Sequence, residues 1–255
     1  MIIVNNLYKT FRLSRRQQRE RGLDFVGTSI DAVAGISFTC QPGRVFCLVG
    51  PNGGGKTTTL RSIATLLRPT SGTITVAGYD TKQQARQVRR HLGFLTGATA
   101  LYDRLTPDEL VQYYADLNGL DATTFRRRRD ELFGLLEIDA YAGQRIAKLS
   151  TGMKQKVSIV RTLIHEPSVV VLDEPTAGLD VIASRSIRRL IHRCRDEGKT
   201  ILFSTLRMSE VRLLADDLGI LHRGQLLYLG SYQDFHENNT PHSLEEAFIK
   251  IVEDA

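Results

Sequence analysis

Tryptophan is absent from this chain of 255 residues, and only 7% of it is aromatic. Its three cysteines, Cys40, Cys47 and Cys194, form no CxxC pair and no metal-ligand spacing. That excludes a disulfide scaffold and a structural zinc site, and reduced thiols are expected. Long hydrophobic runs are missing too. VFCLVG at 45–50 and VVVL at 169–172 fall far short of the roughly 20 apolar residues that cross a bilayer. The leading MIIVNNLYKTF has no basic lead followed by a long apolar core, so no signal peptide is expected. Repeats and low-complexity linkers are lacking, which excludes solenoids and tandem modules. What is present is 42% hydrophobic and 24% charged residues, a balance that excludes disorder and suits a self-sufficient core. Lys and Arg number 34 against 28 Asp and Glu, a formal net charge of +6 that points to an acidic partner: nucleotide, nucleic acid or membrane face.

Short strands are expected at Ile2–Val4 and Ile36–Phe38. Between them Arg12–Arg21 holds five Arg and one Glu with little apolar periodicity, a loop or hairpin tip. Val45–Val49 reads as a buried strand, followed by a glycine-rich turn and a helix whose Leu60, Ile63, Ala64 and Leu67 keep helical spacing until Pro69. A strand follows over Thr73–Ala77. Residues from about 98 to 164 look mostly helical, with Leu110, Val111 and Tyr114 on one face and Leu132, Leu135 and Leu136 on another. A further helix starts near Thr151. After it come VVVL, an Arg-rich helix over Ser184–Arg195, a strand ILFS at 201–204, a helix from about Ser209, and a hairpin of 218–221 with 225–230. Near the end, Ser243 with Glu246 is a capping-box pattern ahead of Leu244, Ala247, Phe248 and Ile251. Strands alternating with helices, around a helical middle, predict an α/β fold with a parallel sheet and a helical insertion.

Two motifs carry chemistry. Gly50-Pro51-Asn52-Gly53-Gly54-Gly55-Lys56-Thr57 satisfies G-x-x-x-x-G-K-[ST] between the expected strand and helix. Glycines let successive N–H groups turn onto phosphate oxygens, and the helix points its positive end at the same anion. Asn52, Gly53, Gly54, Gly55 and Thr58 belong to this cradle; Lys56 is expected at the β- and γ-phosphates and the Thr57 hydroxyl on Mg²⁺. The second motif is Asp173-Glu174, delivered at the C-terminal end of an apolar strand, where open α/β sheets place their ligands. One carboxylate can hold Mg²⁺ while the other polarises water.

With these motifs the chain resembles the nucleotide-binding subunits of ABC transporters. Leu149-Ser150-Thr151-Gly152-Met153-Lys154-Gln155 is similar to the family's LSGGQ signature, with Thr151 in place of a glycine, and Ala177-Gly178-Leu179-Asp180 is similar to its D-loop. LSTGMKQKV and LTGATALYDRLT (95–106) look like the NatA-type sodium-efflux ATPases that partner ABC-2-type permeases. The resemblance implies a P-loop core with an antiparallel β subdomain (1–97 and 165–230), an inserted helical subdomain (98–164) and a helical tail (231–255). It implies Asp173 with Thr57 at Mg²⁺, and Glu174 with Lys56 in catalysis. It places Ser150, Gly152 and Asp180 at the nucleotide of a second, head-to-tail subunit, either an identical copy or a paired ATPase. Phe11, with Tyr8 as alternative, would stack on adenine, and Val33 would touch base or ribose. The subunit would sit at the inner face of the membrane under a separate permease.

Two family elements are missing. Leu206 follows ILFST where the family carries a switch histidine, and Gly97 or a neighbour stands for the Q-loop glutamine. Intact ATP binding with weakened hydrolysis is the expectation. The alternatives are a soluble ABC-type factor on ribosome or DNA, and a non-hydrolysing ATP-binding regulator. His165, His192 and His222 lie on different elements and are read as surface residues. Arg126–Arg129 has no interleaved aromatics and is read as a solvated helix face rather than a nucleic-acid site, so no specific nucleic acid is expected. For a subunit docked under a bilayer, the arginines are candidates for attraction to anionic headgroups.

Overall fold

The computed structural model describes residues 1–14, 28–97, 101–239 and 243–254. Its six-stranded sheet has the order β10-β9-β3-β8-β7-β6, formed by β3 (Val45–Val49), β6 (Leu92–Leu95), β7 (Val169–Asp173), β8 (Thr200–Thr205), β9 (Asp217–His222) and β10 (Gln225–Ser231). All neighbours pair in parallel except β10, which returns antiparallel along β9. β3, β7 and β8 are buried along their whole length. Alternate residues serve two cores: Val45, Cys47 and Val49 of β3 face one cluster, Phe46 and Leu48 the other. Covering both faces explains why these strands read as continuous apolar runs.

One core is capped by helices α3 (Pro107–Leu117), α4 (Ala122–Leu136), α5 (Thr151–Leu163), α6 (Val181–Asp196), α7 (Met208–Leu214), α8 (Tyr232–Asn238) and α9 (Leu244–Glu253). The other is closed by α1 (Lys56–Ile63) and a four-stranded antiparallel sheet of order β2-β1-β4-β5. That sheet comprises β1 (Ile2–Arg12), β2 (Ser29–Cys40), β4 (Ser71–Val76) and β5 (Tyr79–Asp80). The capping box forms as read: the Ser243 hydroxyl accepts from Glu246 N–H at 3.2 Å, and the Glu246 carboxylate accepts from Ser243 N–H at 2.9 Å.

Several expectations are corrected. β1 and β2 run 11 and 12 residues, not three each. Their register shifts between Val4 and Leu7, where Asn6 has φ 47, and again at two later points. Each shift breaks the period-2 pattern that would have marked a long strand. Helix α2 (Ala85–His91) and strand β6 had no expected counterpart. The helix buries Val88 alone, and so shows no apolar stripe. The Arg126–Arg129 run is only partly solvated. Arg128 is 5% exposed and pairs with Glu131 at 2.6 Å and Glu166 at 3.2 Å. Arg129 pairs with Asp108 at 2.8 Å and Asp139 at 2.7 Å, its guanidinium 4.1 Å over the Phe133 ring. Arg193 of the Arg-rich helix likewise pairs with Glu131 and Glu197. These arginines are therefore engaged by local carboxylates, while the net charge of +6 is unchanged by such pairing. The Arg15–Arg21 part of the N-terminal basic stretch lies outside the described residues. Among the described residues no helix is long and apolar enough to cross a membrane, and Cys40, Cys47 and Cys194 are buried free thiols.

Candidate nucleotide site

The turn from β3 to α1 is shaped by what crowds it. A Cβ on Gly50 would lie 1.9 Å from the Leu221 carbonyl oxygen, and one on Gly55 would lie 2.4 Å from that of Ala32. Gly55 also adopts φ 107, a region closed to most side chains. Helix α1 starts with no side-chain cap and no acidic residue in its first turn. Its first N–H groups are thus left for an external anion. Lys56 is 5% exposed and folds back over the turn, its ammonium donating to the carbonyls of Gly50 at 2.7 Å and Pro51 at 3.1 Å. Burial pulls its pKa below the ordinary lysine value, while Glu174 and Asp173 oppose the shift.

Asp173 ends β7 with both carboxylate oxygens engaged: one accepts from the Thr57 hydroxyl at 2.9 Å, the other from the Ser204 hydroxyl at 2.6 Å. Glu174 follows with φ 49, its N–H donating to the Ser204 carbonyl and hydroxyl oxygens, each at 3.2 Å. A left-handed non-glycine residue costs about 1–3 kcal/mol and clusters at functional sites. No hydrogen bond among the described residues engages the Glu174 carboxylate. Thr57 and Asp173 together present two hard oxygens at one point, a donor set that fits Mg²⁺, which takes its remaining ligands from phosphate and water. Among the described residues no cluster of three or more His, Cys, Asp or Glu offers a richer metal site.

A cleft of about 470 Å³ opens over the turn. It gathers Asn52, Gly53, Gly54, Gly55, Lys56, Thr57, Thr58 and Glu174 with Phe11, Ile30, Asp31, Ala32 and Arg223. Phe11 is 38% exposed, with Lys9 Nζ 5.0 Å from its ring centroid. Tyr8 is not among the lining residues. Val33 is corrected: it is fully buried in the core beside the antiparallel sheet, and its neighbours Ile30, Asp31 and Ala32 line the cleft instead. Ile30, Asp31, Ala32 and Arg223 escaped the sequence reading because none belongs to a motif; β-sheet register and the β9–β10 turn bring them in.

Ser150, Gly152 and Asp180 do not line this cleft. Ser150 caps α5, accepting from Met153 N–H at 3.2 Å, and Asp180 caps α6, accepting from Ala183 N–H at 2.8 Å. The two helix starts adjoin, since a Cβ on Gly152 would lie 3.6 Å from Ala183 Cβ. Gln155 ties α5 to the loop after Glu174 by donating to the Pro175 carbonyl at 2.9 Å. Leu206, 41% exposed, follows β8 and shares a second depression of about 210 Å³ with Glu174, Thr205, Arg207 and Glu210. A Cβ on Gly97 would lie 3.5 Å from the Asp173 carbonyl oxygen.

The family model described as "ABC transporter" matches residues 33–177. The ABC transporter ATP-binding protein NatA of Bacillus subtilis (strain 168) is 40% identical over 225 residues, covering 88% of this chain and 92% of that protein. The probable multidrug ABC transporter ATP-binding protein YbhF of Escherichia coli (strain K12) is 37% identical over 227 residues, 86% of this chain but 39% of YbhF. A solved ATP-binding subunit of an ABC transporter superposes with a TM-score of 0.84 at 26% identity, covering 98% of this chain and 99% of its own. The dimeric cassette MJ0796, solved in a post-hydrolysis state with ADP and Pi, shares the fold with a TM-score of 0.79 at 24% identity.

Proposed function

The chain belongs to the ABC transporter family as an ATP-binding subunit, and from that premise we propose that it binds Mg·ATP, hydrolyses it slowly and so energises a membrane exporter. One observation carries this reading: Lys56, the Thr57 hydroxyl and the Asp173 carboxylate converge beside an uncapped helix start, with Glu174 on the wall of the same cleft. The backbone N–H groups of 52–58 receive the phosphate chain, and Lys56 turns from the carbonyls it now bonds to the β- and γ-phosphate oxygens. Thr57 and Asp173 would hold Mg²⁺, which would supply positive charge against the phosphate oxygens. Ser204 fixes Asp173 and, through its contacts with the Glu174 N–H, orients the free carboxylate of Glu174. That carboxylate accepts a proton from water as its oxygen bonds to the γ-phosphorus and the bond to the β–γ bridging oxygen breaks. Phe11 supplies a face for the base.

Ser150 and Gly152 serve a second subunit's nucleotide, an identical copy or a paired ATPase, with Asp180 at the same junction. Supporting this, α5 starts outside the cleft with no acidic residue in its first turn. We assign residues 1–97 and 165–230 to the core with its β subdomain, 98–164 to the helical subdomain and 231–255 to the tail. The helical segment exposes Tyr102, Tyr113 and Leu117, apolar surface that suits contact with a separate permease at the inner membrane face. Sodium is the proposed cargo, resting on the resemblance to the sodium-efflux branch.

An equilibrium titration with ATP, with and without Mg²⁺, tests the site. Magnesium is expected to tighten binding, and Thr57→Ala to remove about tenfold of that gain while leaving metal-free binding unchanged. Binding indifferent to Mg²⁺ would contradict the assignment.

A further inference from the structure

The β9–β10 hairpin has a two-residue turn, Arg223-Gly224, with φ 45 and 80. Both central residues in the left-handed region make this a type I′ turn, for which Asn-Gly or Gly-Gly is the favoured sequence. Arginine at the first position is strained there, and a strained residue standing where an easier one would serve points to a role for its side chain. The turn is pinned on both sides: Gly224 N–H donates to Gly54 carbonyl oxygen at 2.9 Å, and Gly224 carbonyl oxygen accepts from Ala34 N–H at 2.8 Å. The first bond reaches the same loop whose N–H groups form the cradle. Arg223 lines the cleft beside that loop, and among the described residues no carboxylate forms an ion pair with it. A cation fixed by its backbone, facing a cleft built for an anion and without an ion pair among the described residues, is suited to a negative ligand.

We propose that Arg223 binds the nucleotide's phosphate chain, at the diphosphate common to ATP and ADP. The assignment rests on the nucleotide-binding reading above. Lys56 is buried at the base of the turn, whereas Arg223 stands at its β2 side, near Ala32. A planar guanidinium presents a rigid fork to two oxygens of one phosphate, a geometry that the point charge of a lysine ammonium does not fix.

Arg223→Asn separates binding from folding, because Asn is the better residue for this turn. The full-length variant is expected to keep or raise its nucleotide-free Tm while losing about tenfold in affinity for both ATP and ADP. Inorganic tripolyphosphate, used as a competitor, should weaken by the same factor. Unchanged affinity overturns the proposal, as does a loss confined to ATP, which would place the contact at the γ-phosphate. An unchanged tripolyphosphate affinity beside weakened ATP would move Arg223 to ribose or base and overturn it as well. A lowered Tm accompanying the affinity loss would make the residue structural. If the unaltered chain itself fails to bind ATP, the nucleotide-site reading fails instead, and the two failures are told apart in one titration series.

Discussion

Replacing Leu206 with histidine is expected to raise ATP turnover about 10²–10³-fold, with ATP affinity little changed. Leu206 follows β8 and shares a depression with Glu174, so its side chain borders the group assigned to the attacking water. An isobutyl group neither donates nor accepts a hydrogen bond, whereas an imidazole N–H there would face the charge that builds on the transferred phosphate. One preorganised donor of this kind is worth about 2.7–4 kcal/mol in the transition state. Neighbouring Arg207 does not fill the gap: its Nη2 is held by the Thr176 carbonyl at 2.8 Å and the Glu210 carboxylate at 2.6 Å. Steady-state turnover of the purified chain before and after Leu206→His reads the effect. If the unaltered chain already turns over at on the order of 1 s⁻¹ and histidine adds nothing, the role given to position 206 is wrong.

Hydrolysis is expected to fall by about 10²–10⁴ in Glu174→Gln, with equilibrium ATP binding preserved. The amide keeps the shape of the side chain, and the backbone strain at position 174 is the same for both residues. Phosphate binding is assigned to Lys56, Thr57, Asp173 and the glycine turn; the change removes a charge that acts on Lys56 but no hydrogen bond to any of them. What is lost is the proton acceptor. Single-turnover hydrolysis, followed with ATP binding on the same sample, separates the two. Parallel loss of binding would mean that Glu174 holds the nucleotide or its loop rather than acting on water. Because the slowed chain stays ATP-loaded, this variant is also the one in which ATP-dependent pairing of subunits is best sought, by sedimentation.

The residues around the phosphate turn were legible because their constraints are local. Gly50, Gly55 and Lys56 sit at fixed offsets between an apolar strand and an amphipathic helix, and the crowding at Leu221 and Ala32 adds a packing reason for two of those glycines. VVVL followed by Asp173-Glu174 was legible for a related reason, since burial on both faces leaves no polar interruption until the strand ends. The Ser243 capping box needed only a four-residue window. What the sequence hid depends on register and on distant partners. Bulges near Asn6 erased the alternation of β1, and the burial of Val33 leaves the cleft wall to Ile30, Asp31 and Ala32. Arg128 gave no sign of burial: Glu131 is its i+3 neighbour on α4, but Glu166 and the Leu163 carbonyl meet it only when α4 packs near the end of α5. Arg223 lies some 170 residues downstream of the turn it faces, brought there by the hairpin of β9 and β10.

The most direct measurement is an equilibrium titration of the purified chain with Mg·ATP, run beside Lys56→Ala. Saturable binding of one nucleotide per chain, lost when the lysine is removed, is the predicted result. Absence of saturable binding, or binding that survives Lys56→Ala unchanged, would contradict the assignment of the β3–α1 turn as the phosphate cradle.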